Sequence, residues 1–329
     1  MAGGSTSAPL VVLGEVRTCL VPDSSTLSRG AVEELLALVP GRRVTSRQRP
    51  IAWASSPTTA VGVDCRLATV SRSAGRAVGT VGVNAVVVGG RVLSSSAKTT
   101  VTDAEMGRRN VWSHYLERVG VIELLSRSRA GIDTAADLAE GFLMPDEPQA
   151  DTLDLESISD RLLMTVRMNA TLNQKSPIPT DTTRLRWAAR IANVSSPAVV
   201  FRVQDETVRT ALITVRDQAE LAAVHRLCED LALHDWLLTV IDAEVERADL
   251  FRSASPESVS VLAPLLEHLV CLWMPGAHVP VGLQPAWDQL QADPGFTDQW
   301  NARVGQLRDR MTVATLAALH RTGVRSTEW

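Results

Sequence analysis

Three groups of residues have types and spacings that could do chemistry. His225–Cys228 and His268–Cys271 both have HxxC spacing, and both lie in segments that read as helices. At i,i+3 an imidazole and a thiol share one helix face, so two such helices packed together would supply a tetrahedral Cys2His2 set for zinc. The competing reading is a structural one: each pair is embedded in an apolar run, and free cysteine behaves as a small buried hydrophobe. The second group is basic. Arg42, Arg43, Arg47 and Arg49 fall within eight residues, with Trp53 just beyond. Guanidinium groups match phosphate or carboxylate and an indole offers a stacking face, so the set reads as an anion- or partner-binding surface. The same arginines would serve equally well in docking on the chain's own acidic residues.

The third group, Arg108, Arg109, Trp112, Ser113, His114, Tyr115 and Glu117, is the densest mixture of polar and aromatic types. His114 would act there as a general base, with Arg108 and Arg109 as anion binders. Neighbours on a helix point in different directions, so Ser113 and His114 form no local pair; a capped helix anchored by its aromatic residues accounts for the same composition. Known motifs are missing. Gly75, Gly79 and Gly82 are spaced GxxxGxxG, which is neither a dinucleotide fingerprint nor a P-loop, and they lie inside a segment that reads as a strand. No GxSxG, HExxH or EF-hand pattern occurs.

The elements that must position these groups differ along the chain. Residues 9–101 carry mostly β signals, with a short helix started by Ser28 and stopped at Pro40-Gly41. Residues 42–55 read as extended, with Pro50 best tolerated at a sheet edge. The clearest feature is a hairpin of 76–88 and 91–101 joined by Gly89-Gly90, whose positive φ angles suit a two-residue turn. That loop pairs Val88 with Arg91, Val86 with Leu93 and Val78 with Val101, leaving Ser94, Ser96 and Lys98 on a solvated face. A helix is expected over 112–129 and another over 153–172. Residues 197–203, 207–215 and 236–241 read as strands, with a helix from a capping-box start at Asp217 and Glu220 to about Leu233. The last third reads as helical.

The chain has 329 residues, enough for one large domain or two ordinary ones, and 45% hydrophobic residues, enough for a sizeable core. Of 33 Lys+Arg only Lys98 and Lys175 are lysines, a bias expected of a GC-rich genome. The net charge of −4 argues against a uniformly basic nucleic-acid binder. It also hides a split: residues 1–131 hold 16 basic and 9 acidic residues, a net of +7, and the remainder 17 and 28, a net of −11. Between 132 and 160 there are nine acidic residues and no basic one. The expected organisation is therefore a basic mainly-β domain over 8–131, an acidic linker or hinge over 132–160, and a helix-rich α+β domain over 161–322. No secretory leader or membrane span is expected, and four scattered cysteines suit a reducing cytoplasm.

The stretches Gly14-Glu15-Val16-Arg17-Thr18, Trp112-Ser113-His114-Tyr115-Leu116 and Pro275-Gly276-Ala277-His278-Val279-Pro280 resemble an uncharacterised family of actinobacterial hypothetical proteins, over most of the chain. The resemblance implies no activity and no site residue. Through neighbouring P-loop ATPase genes it implies one part of a multi-protein system, with such an ATPase as partner. The sequence thus predicts an α+β fold: a mainly-β N-terminal domain, sandwich-like or a curled sheet, then a mixed, helix-rich C-terminal region. The expected function is a non-enzymatic cytoplasmic interaction or scaffold protein, charge-polarised between its halves. Nucleic-acid or phosphate-ligand binding through the basic β-domain is the alternative, with nucleic acid not the expected partner. An enzyme or zinc protein with an unrecognised site is the third reading, and zinc is the one cofactor considered.

Overall fold

The computed structural model describes residues 8–71, 75–125, 133–144, 151–250 and 256–325. Residues 132 and 145–150 of the acidic stretch lie outside them, as do 126–129 at the end of the helix expected over 112–129. The fold is α+β. In chain order the first strands and helices are β1 (Pro9–Leu20), α1 (Arg29–Leu35), β2 (Thr45–Arg47), β3 (Trp53–Ser55), β4 (Thr59–Arg66), β5 (Arg76–Val88), β6 (Val92–Asp103), α2 (Trp112–Leu116) and β7 (Val121–Leu124). Then follow α3 (Thr134–Leu143), α4 (Leu155–Arg167), β8 (Thr183–Ile191), β9 (Ala198–Val203) and β10 (Val208–Val215). Four helices close the described chain: α5 (Gln218–Leu250), α6 (Pro256–His268), α7 (Gln284–Ala292) and α8 (Phe296–Arg325).

All ten strands belong to one mixed sheet, ordered β2-β3-β5-β7-β6-β1-β8-β10-β9 with β4 on the outer edge of β5. The strand that follows the acidic stretch, β8, runs antiparallel along β1, with Gly14 opposite Trp187. The sheet is therefore continuous across residues 132–160. Helix α5 packs on one face, against β1, β6 and β8; α3 and α4 pack on the other. The expected small β-β-α-β unit is corrected at its last strand, because residues 236–241 continue α5. From Leu231 to Leu238 every residue is buried, including His234 and Asp235, so burial extends round the whole circumference and helical periodicity disappears from the sequence. The helix expected over 112–129 also ends early. Gly120 takes φ +77°, and Val121-Ile122-Glu123-Leu124 forms β7, wedged between β5 and β6.

The hairpin itself forms with a different register. Val88 pairs with Val92, Val87 with Leu93 and Val86 with Ser94, so the loop has three residues: Gly89, Gly90 and Arg91. Both glycines adopt left-handed φ, +59° and +65°. Arg91 is drawn out of the strand and buried, donating from Nη1 to the Asp23 carbonyl (3.1 Å) and from Nε to Thr26 Oγ1 (2.9 Å). One residue of slip exchanges the two faces of a strand relative to its partner. Ser94, Ser96 and Lys98 consequently share a face with Val86, Asn84 and Gly82, and that face lies under α5 rather than in solvent. Ser94 and Ser96 are buried.

Across this face one row runs Gly82, Lys98, Gly14, Trp187. The Trp187 indole is laid over Gly14, where a Cβ would come within 2.2 Å of the ring, and Trp187 is fully buried and has nowhere to move. Replacing Gly14 by alanine is expected to destabilise the fold by about 1–3 kcal/mol through overpacking. Denaturant unfolding would read this as a lowered midpoint with an unchanged slope.

Candidate functional site

A cavity of about 340 Å³ lies between this polar sheet face and α5. That is at the small end of the range in which ligand pockets occur, roughly 300–1,000 Å³. The sheet contributes Asn84, Val86, Val88, Ser94 and Lys98; the edge hairpin of β2 and β3 contributes Arg47 and Trp53; α5 contributes His225, Arg226, Glu229, Asp230 and Leu233. His278, from the loop before α7, completes the wall. The α5 residues fall at i, i+1, i+4, i+5 and i+8, adjacent positions on one side of the helix.

The polar groups fall into two ends. At one, Lys98 and Glu229 face each other. Burial pushes the Lys98 ammonium below its ordinary value, and the Glu229 carboxylate opposes that shift. Burial likewise raises Glu229, against the Lys98 charge and Asn84, whose Nδ2 lies 3.4 Å from Glu229 Oε1. His225 donates from Nδ1 to the Ala222 carbonyl (3.1 Å), which leaves Nε2 a bare acceptor; burial and the Lys98 charge lower its pKa to about 4. At the other end, Arg47 lies over the Trp53 ring, 5.2 Å from its centroid, and Trp53 meets the His278 ring at 6.1 Å. Asp230 accepts the Gly276 backbone N–H at Oδ2 (2.9 Å), while among the described residues its Oδ1 and His278 Nε2 are buried without a hydrogen-bond partner. Burial raises Asp230 to about 7, although backbone donors favour its charged form.

Sequence-predicted residues are distributed unevenly over this geometry. Arg47 and Trp53 line the cavity. Arg42 donates to the Thr58 carbonyl (3.3 Å) at its margin, and Arg43 and Arg49 are exposed outside it. None of these four arginines meets an acidic partner among the described residues. The acidic stretch docks elsewhere: Glu156 and Asp160 hold Arg17 (2.8 and 2.9 Å), Glu156 also holds Arg184, Asp151 holds Arg66 (2.9 Å) and Asp133 holds Arg190 (3.3 Å). Beneath them the fully buried Glu15 accepts from Ser159 Oγ (3.3 Å).

The two HxxC pairs are not brought together as a zinc centre. His225 borders the cavity, but Cys228 points into the main core, its thiol pushed far up by burial. His268 lies against Arg91 (Nδ1 to Nη2, 3.2 Å), and Cys271 is exposed in the turn after α6. Among the described residues no three His, Cys, Asp or Glu side chains converge as a metal would require. The His114 cluster is likewise held by structure. His114 Nε2, Arg118 and Asn110 Nδ2 all converge on the buried Glu123 (2.8 Å from His114, 3.2 Å from Asn110), and Tyr115 Oη accepts the Asn110 N–H (2.9 Å). Arg109 pairs with Asp64 (3.2 Å) over the Trp112 ring, and Arg108 is exposed.

Lys98, Glu229, Asp230 and Asn84 were not singled out from sequence. For Lys98 a signal existed, since it is one of two lysines among 33 basic residues. Comparisons with protein-family models, with curated proteins and with solved structures find no match.

Asp230 gives this site a measurable pH signature. Its folded pKa stands above the unfolded value of 3.8, so its contribution to stability is full below about pH 4 and is lost as pH rises towards 7. Asp230→Asn removes the titration and leaves the other groups in place. Between pH 5 and 7 the stability of the wild type should fall relative to this variant by about 2 kcal/mol, read by urea unfolding at each pH. A constant difference across that range would show that Asp230 is charged throughout.

Proposed function

We propose that the protein binds a small organic anion, carrying a phosphate or carboxylate group, in the cavity between the sheet and α5. The observation that carries this reading is the convergence of Arg47, Lys98 and Arg226 on one cavity of ligand size, beside the Trp53 ring. Their acidic neighbours, Glu229 and Asp230, are both biased towards the neutral form by burial, so the cavity favours negative charge. Arginine and lysine at the margins of a cleft pair with oxyanions, and a partly buried indole accepts a planar ligand group. This develops the phosphate-ligand alternative and moves it from an open basic surface to a pocket.

The exposed cluster Val111, Trp112, Leu116 and Val119, beside Arg108 and Arg109, favours a second reading as an interaction or scaffold component, with a P-loop ATPase as the expected partner. Trp112 and Leu116 lie at i,i+4 and share a helix face. The two readings concern different surfaces and are compatible. The partner reading would be tested by co-purification from the source organism with wild-type protein and with Leu116→Asp: it requires a stoichiometric partner that the variant loses. No helix among the described residues is long and apolar enough to cross a membrane.

Isothermal titration with orthophosphate at low ionic strength tests the cavity directly. Arg47→Ala should weaken binding about tenfold, the worth of one charge-assisted contact. Arg43→Ala, outside the cavity, should leave it unchanged. Equal losses from both variants would indicate a diffuse surface effect and overturn the reading.

A further inference from the structure

Lysine offers one chemistry that arginine does not. Its amine gives up a proton at accessible pH and becomes a nucleophile, whereas a guanidinium stays charged. This chain meets nearly every need for positive charge with arginine and keeps two lysines. They stand in contrasting places: Lys175 is exposed in the loop after α4, and Lys98 lines the cavity.

The surroundings of Lys98 suit a reacting amine. It sits at the last pair of the β5–β6 hairpin, where the strands splay to admit β7. Its neighbours in the row, Gly82 and Gly14, carry no side chains of their own, and the Trp187 ring lies over Gly14. Among the described residues its ammonium has no hydrogen bond and no ion pair to hold it in the charged form. Burial disfavours that form further, and Glu229 on the facing helix is within electrostatic reach as a proton acceptor.

We propose that Lys98 captures the carbonyl group of a small anionic aldehyde or ketone as a Schiff base, with Glu229 moving the protons and Arg47 and Arg226 holding the ligand's anionic group. The step balances without an oxidant or reductant. Glu229 carboxylate takes a proton from the Lys98 ammonium, and the freed amine nitrogen attacks the carbonyl carbon. A C–N bond forms, the carbonyl π pair moves to oxygen, and a proton passes from nitrogen to that oxygen. Glu229 then returns its proton to the hydroxyl, the C–O bond breaks and water leaves. A protonated imine remains beside the regenerated Glu229 carboxylate, whose charge stabilises it. The inference rests on the anion-binding reading of the cavity and narrows its ligand to one that bears a carbonyl.

Glyoxylate, the smallest aldehyde carrying a carboxylate, is the probe, with cyanoborohydride to trap the imine at pH 7 on the full chain. Peptide mapping by mass spectrometry then reports each lysine separately. Lys98 should be labelled at least about tenfold faster than Lys175, despite the greater exposure of Lys175. Lys98→Arg should lose the fast adduct, Lys175→Arg should keep it, and Glu229→Gln should slow trapping while orthophosphate still binds. The wild-type map alone decides the matter even if a variant fails to fold. Labelling of Lys175 as fast as Lys98, or an unlabelled Lys98, overturns the proposal. Orthophosphate titration of the same preparation separates the two failures: binding without labelling removes only the imine, and neither binding nor labelling removes the anion site as well.

Discussion

The guanidinium of Arg91, tied to the Asp23 carbonyl and to Thr26, controls the geometry on which the cavity depends. Holding Arg91 in the turn lengthens the loop to three residues and sets which side chains of β6 point towards α5. Side chains alternate strictly along a strand, so there is no intermediate arrangement: the polar series Ser94, Ser96, Lys98 faces either the helix or the opposite layer. Facing the helix, it meets Glu229, His225 and Asp230. Asp230 is buried and His225 and Glu229 are half-buried, so their charges have to be matched or surrendered, and the raised carboxylates and depressed imidazole are the surrendered cases.

The opposite face of the sheet handles charge differently. Glu15 is fully buried there, yet Arg17 and Arg186 approach it, and Glu156 and Asp160 from α4 complete the network around Arg17. Among the described residues both faces keep buried polar atoms without a hydrogen-bond partner, Glu15 Oε2 and Arg17, Arg184 and Arg186 Nε on that side and Asp230 Oδ1 and His278 Nε2 in the cavity, but the charges around Glu15 are matched by ion pairs. Buried polar groups in folded proteins are rarely left unpaired without reason. What differs between the two faces is that ion pairs join the charges around Glu15, whereas Lys98 has none among the described residues.

The sequence made parts of this legible. The α+β class, the β-rich first half, the capped α1, the β9–β10 pair and the helical last third all follow from periodicity and punctuation. β8 falls outside the elements expected from the sequence, although Thr183, Leu185, Trp187 and Ala189 alternate with Arg184, Arg186 and Arg190 at a period of two. Residues 236–241 read as a strand because a helix buried on every side shows no stripe. At the site, Arg47 and Trp53 were found by charge and stacking capacity, and Arg43 and Arg49 came with them, since nothing local distinguishes a cavity arginine from a solvated one. Lys98 and Glu229 are 131 positions apart. Only the register and the packing of α5 bring them together, and neither is written in any short segment.

The pairing of β8 with β1 has a consequence for how the chain is made. β1 lies inside the sheet, between β6, which ends at Asp103, and β8 from beyond residue 180. During synthesis from the N-terminus, β1 can dock on β6 early, but its other edge stays open until more than 160 further residues have been added. That edge carries Val11, Val12, Leu13 and Val16, an apolar strand with free backbone donors and acceptors, which is a template for pairing with other chains. Residues 14 to 18 interrupt it with Gly14, Glu15 and Arg17, so the same positions that later seat Trp187 and the buried charge network also keep the nascent edge from acting as a continuous adhesive surface.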